Sequence, residues 1–186
     1  MVRALVIVLI AAALCASVSS ARADEIHIDH AVLELTGEGP AVSAMFRFEL
    51  PPKFAEALLV GVPLFFIVEC EISRSRWYWF DERVTGAVTR YRLSYHALAR
   101  EYRLSSGALH HGFATVEEAL RVMTQLQSWV VADRTQLQTA THYDAWLRMR
   151  LDTSQLPRPL QIGQREWAFS SAWRKWRFMI PRPEAR

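Results

Sequence analysis

The chain has 186 residues, 51% of them hydrophobic, and a formal net charge of +3. That charge is too small to argue for a nucleic-acid-binding surface, and Arg3 and Arg22, two of its positive residues, fall in a separate N-terminal segment. Two cysteines, Cys15 and Cys70, are too few for a disulfide-stapled scaffold.

Residues 1–23 read as a secretory signal. Arg3 is a minimal charged start, residues 4–18 are an apolar run, and Ala21-Arg22-Ala23 fits an A-x-A cleavage site. The run is shorter than the roughly 20 residues of a membrane-crossing helix. Cleavage leaves a nearly neutral chain beginning at Asp24, and an uncleaved anchor is the alternative. Leu14 precedes Cys15 where a lipid-attachment motif wants a small residue. The mature chain then keeps Cys70 alone, as a small hydrophobe in an apolar run.

Residues 25–36 predict a first strand, with a bulge near Ala31 where the apolar phase changes. The Gly37-Glu38-Gly39-Pro40 turn leads to a second strand. There Val42, Ala44, Phe46, Phe48 and Leu50 alternate with Ser43, Met45, Arg47 and Glu49, so the two strands form a hairpin. Pro51-Pro52 ends that strand and opens a short helix running to Val60 and Gly61. Residues 64–72 read as a buried strand. After Arg74 comes a loop with the aromatic block Trp77-Tyr78-Trp79-Phe80, which on a strand would leave a ring partly exposed.

The stretch 90–104 is expected at the centre of an antiparallel sheet. Tyr91, Leu93, Tyr95 and Ala97 share one face; Arg90, Arg92, Ser94 and His96 share the other. A bend or bulge near Ala99 would carry the phase change to Tyr102 and Leu104. Residues 105–107 are a turn and 108–113 a short strand. Thr115 and Glu118 make a capping box for a helix over 116–127, with Ala119, Leu120, Met123 and Leu126 at helical spacing. Residues 129–132 form a strand and 133–140 a loop. Tyr143, Ala145, Leu147, Met149 and Leu151 alternate along another strand. Residues 152–163, with Pro157 and Pro159, read as a crossover loop. Residues 167–180 are the last strand or strand pair, and 181–186 a frayed tail. The expected architecture is all-β: an antiparallel, immunoglobulin-like sandwich of seven to nine strands, with one good helix and one short one, as a single domain over 24–186.

Catalytic signatures are weak. His27 and His30 fall on opposite strand faces, as do His110 and His111. His27 and Asp29 could share a face but make a poor metal site. Ser94 and His96 share a face without a nucleophile elbow or a phosphate-binding glycine loop nearby. No catalytic residue, metal or cofactor is therefore assigned. The C-terminal run of Arg165, Trp167, Trp173, Arg174, Lys175, Trp176 and Arg177 carries the residue types enriched at interaction hot spots. Trp173, Arg174, Trp176 and Arg177 are the candidate binding residues, on a strand at a sheet edge. In the competing reading the tryptophans fill the core and the arginines are solvated or guard the edge.

The signal, the Gly61-Val62-Pro63-Leu64-Phe65 run into Glu69, Trp77, Tyr91 through His96, Tyr102-Arg103-Leu104, the capped helix after Phe113, Leu151-Asp152 and Leu156 through Leu160 occur here in order. Together they resemble the exported proteobacterial family "domain of unknown function 4390". The resemblance implies export and one β-rich domain; it brings no accepted activity and no catalytic residues. Members are often encoded near a nitrogen-regulation type sensor kinase, which points to an envelope protein partner. The expectation is a periplasmic, non-catalytic interaction or sensing module, without nucleic acid and without a membrane span after cleavage. The alternative is an envelope enzyme acting on a glycan or other polymer.

Overall fold

A computed structural model describes residues 25–74, 81–161 and 167–181. The proposed signal, the aromatic block at 77–80, Arg165 and the tail beyond Pro181 lie outside the described residues. The first hairpin joins β1 (His27–Leu35) to β2 (Pro40–Arg47). Its register slips between Ile28 and His30, placing the bulge at Asp29, two residues before the expected site. At the turn, Gly39 has φ +150°, and a Cβ there would lie 2.1 Å from the Ala132 carbonyl oxygen. Only glycine suits that combination.

Helix α1 (Pro52–Leu59) starts with proline in its first turn and unwinds at Gly61, where φ is +87°. It leads into β3 (Leu64–Arg74), whose antiparallel neighbours are β4 (Glu82–His96) and β8 (His142–Leu151). Strands β5 (Glu101–Ser106) and β6 (Leu109–Phe113) extend one side, and β9 (Arg174–Met179) the other. The large sheet therefore runs β6-β5-β4-β3-β8-β9, and a small sheet runs β1-β2-β7 with β7 at Gln125–Val130. These nine strands form two antiparallel sheets in a β-sandwich-like, all-β fold.

One layer is the large sheet. Leu64, Phe66, Val68, Cys70 and Ile72 of β3 and Tyr143, Ala145, Leu147, Met149 and Leu151 of β8 supply its buried face. The other layer is the small sheet with α1 and helix α2 (Val116–Met123). Val42, Ala44, Phe46, Phe54, Leu58, Ala119, Leu120 and Met123 face inward from it. Phe48 stacks on Phe66 at 5.7 Å and meets Phe169 edge-on at 5.2 Å, so this end of the core is aromatic.

Three expected elements differ. The helix expected over 116–127 stops at Met123, and Leu126 opposes Ala44 on β7. Strand β2 needs a ladder partner, and Leu126 reaches the core from a strand as well as from a helix. The phase change near Ala99 is a four-residue turn, with Arg100 at φ 52° and the Ala99 N–H donating to His96 Nδ1. Residues 152–163 are not a crossover, because β8 and β9 are antiparallel neighbours. The chain leaves the sheet there, passes through α3 (Arg158–Gln161), places Phe169 in the core, and returns alongside β8. No helix among the described residues is long and apolar enough to cross a membrane.

Candidate functional site

Helices α1 and α2 and the small sheet occupy one face of the large sheet, so among the described residues its other face is turned to solvent. The period of two decides which residues stand there. From β4 come Val88, Arg90 and Arg92; from β3, Phe65, Ile67, Glu69, Glu71 and Ser73. Strand β8 adds Asp144, Trp146, Arg148 and Arg150, and β9 adds Lys175 and Arg177.

Their pairing follows from the register. Glu69 lies opposite Arg148 and accepts from its guanidinium, and also from Arg150 Nε at 3.2 Å. Arg148 in turn stacks over Trp173, 4.3 Å from the ring centroid. One strand further, Lys175 lies 4.5 Å over the Trp146 ring. Asp144, 2% exposed, accepts from Lys175 and from Arg177, each at 3.1 Å. Burial would raise the Asp144 carboxyl, but the hydrogen bonds from Arg177 and Lys175 prevail and hold it below the usual carboxylate value. Each of these two carboxylates thus serves two cations. Arg83 pairs with Glu71 at 3.4 Å, whereas Arg90 and Arg92 are exposed and make no ion pair among the described residues.

The four C-terminal candidates do not share a face. Trp173 and Arg177 belong to the solvent face. Arg174 and Trp176 have the opposite phase, Trp176 half-buried against the core and Arg174 exposed where β9 begins. Odd and even positions on one strand diverge, so a density of Trp and Arg along the chain is divided between faces. Strand β9 is the terminal strand of the large sheet, as expected for an edge. Trp167 packs on Phe54 in the core, 5.2 Å between centroids. The residues not proposed beforehand for binding are Glu69, Asp144, Trp146, Arg148 and Arg150. A signal for them existed: Glu-x-Glu at 69–71 and Arg-x-Arg at 148–150 are alternating opposite charges on two predicted strands.

The other candidates serve local structure. Asp29 binds Arg47 through both oxygens, at 2.7 and 2.9 Å, and that hydrogen-bonded pair lowers its carboxyl pKa. His96 Nδ1 holds the hairpin turn, and His110 contacts Ser105 at 2.8 Å. Burial pushes the Cys70 thiol up to about 12. Among the described residues no three His, Cys, Asp or Glu are placed to hold a metal. A cleft of about 540 Å³ between β2, α1 and α2 is floored by Phe46, Phe48 and Leu120.

The molecule is an all-β protein of two antiparallel sheets, with the solvent face of the larger one carrying paired charges and stacked tryptophans. The chain belongs to the family described as Domain of unknown function (DUF4390), whose pattern matches residues 23–177. No curated protein and no solved structure matches it.

Proposed function

We propose that this protein is exported, loses residues 1–23 and works in the periplasm as a non-catalytic interaction or sensing module. Its contact surface is the solvent face of the large sheet near the β9 edge. The observation that carries this reading is the excess of cations over carboxylates there, with Arg148 stacked on Trp173 and Lys175 on Trp146. Tryptophan and arginine held flat in this way are the residues that dominate protein-binding energies. Among the described residues β9 has no ladder partner on its outer side, which adds backbone groups that a partner can use.

The test starts with the intact mass of the mature protein, which should correspond to a chain beginning at Asp24. A photo-crosslinking residue at Met179, exposed at the end of β9, should then give a discrete protein adduct in cells. A membrane sensor kinase is the first adduct to look for. Trp173→Ala should reduce the adduct without lowering stability much. Retention of Met1 would defeat the cleavage step in favour of an uncleaved anchor, and adducts to glycan alone would defeat the interaction reading in favour of the envelope enzyme.

A further inference from the structure

The middle of the solvent face contains two parallel arginine pairs. Arg90 and Arg92 stand two residues apart on β4, and Arg148 and Arg150 two residues apart on β8, with β3 between. Extended geometry puts the members of each pair about 6.8 Å apart, and the two rows about 10 Å apart across three strands. The floor between the rows is Phe65, Ile67 and Glu69. Ile67 is 4% exposed although it points toward solvent, flanked across the sheet by Arg90 and Arg150. Arginine stems cover apolar surface in such a setting while their heads stay in water.

Charge in this area is unbalanced. Arg148 and Arg150 share Glu69, and the next carboxylate, Asp152, is 4.0 Å from Arg150. Arg90 and Arg92 have no carboxylate partner among the described residues. Four guanidiniums therefore surround the apolar pair Phe65 and Ile67, with Glu69 neutralised at one end by Arg148 and Arg150, each retaining donors in the fork that suits a carboxylate.

We infer that the strip over β3 takes an extended acidic segment of a protein partner; this rests on the interaction-module reading above. In an extended peptide, alternate side chains point to opposite sides, and those on one side repeat at about 6.8 Å. A run of Asp or Glu laid along β3 would send odd carboxylates to Arg90 and Arg92 and even ones to Arg148 and Arg150. The match is one of repeat length, because ligand and arginine rows are both extended chains; Arg90 and Arg150 stand level across Ile67, and the half-step stagger of the peptide, about 3.4 Å, is taken up by the long arginine side chains. A single phosphate would meet only one row.

The test uses the full mature chain and a fluorescently labelled octapeptide of glutamates, read by anisotropy, with an octapeptide of glutamines as the neutral control. The glutamate peptide should bind and the glutamine peptide should not. Arg90→Ser with Arg92→Ser should weaken binding about tenfold, the equivalent of about 1.4 kcal/mol. Removing the Arg90 stem uncovers part of Ile67, so the melting temperature should fall slightly, and binding is compared well below it. Arg121→Ser with Arg158→Ser removes the same charge from exposed positions elsewhere and should leave binding nearly intact. Equal weakening by both double variants would overturn the inference in favour of net charge. Equally tight binding of short polyphosphate or of phosphatidylglycerol vesicles would also overturn it, in favour of a general polyanion surface. If the glutamate peptide fails to bind the wild-type protein while the protein adduct from Met179 still forms, the acidic-segment inference fails and the interaction reading stands. If wild type gives no protein adduct, the interaction reading fails whatever the peptide does.

Discussion

Replacing Asp144 with asparagine tests how the edge strand is held. The carboxylate is 2% exposed and joins β8 to β9 through Lys175 and Arg177, whose own side chains are 40% and 66% exposed. The substitution keeps the shape and removes the charge. Fully buried partners would be stranded at a cost of about 3–5 kcal/mol, but these two cations can turn to water. Two solvent-screened charged hydrogen bonds then set the loss, on the order of 1–2 kcal/mol. For a domain of this size that lowers the melting temperature by about 2–8 °C. The pH dependence has a definite sign. The folded carboxyl titrates below its ordinary value of 3.8, so its contribution is complete above that value and disappears as pH falls through the lower folded value. Urea unfolding of both proteins from pH 7 down to about pH 2 should show a gap that closes in the acid range. A gap of equal size at both ends would refute the electrostatic argument and assign the loss to packing.

Thr115→Ala should cost about 1 kcal/mol, the usual worth of an N-cap, since Thr115 Oγ1 accepts the Glu118 N–H at 3.3 Å; an unchanged denaturant midpoint would count against the cap. Gly39→Ala should destabilise by about 3 kcal/mol or more, because strain and backbone collision coincide there; normal thermal unfolding of the variant would show that the turn can move. Cys70 is buried with its thiol pushed up to about 12, so a thiol reagent near pH 8 should label it only after urea is added. Rapid labelling of the native protein would disprove that burial.

Much of this architecture is written in local pattern. Alternation along 42–50, 90–96 and 143–151 and the apolar run 64–72 announced strands, the first of which ends at Arg47 rather than Leu50, and Thr115 with Glu118 announced a helix start, although Glu118 reaches back to the Ala114 N–H. Each of these features depends on neighbours within a few residues, as do the solvent phase of Arg90 and Arg92 and the apolar phase of Cys70. Long-range pairing made the remaining choices. Leu126 fits either a helix or a strand, and only the unpaired side of β2 turned it into a strand residue. Density along the chain grouped Trp173, Arg174, Trp176 and Arg177, and strand period separated them. Glu69 meets Arg148 and Arg150 across 79 and 81 positions of sequence. No local rule specifies that meeting, because it depends on β8 rather than another strand lying beside β3. The amino-acid order therefore determined strands, caps and face phases through short-range sterics and burial. Only the tertiary structure decided which face stays open to solvent and which charges share a partner, because both depend on the order of strands in the sheet.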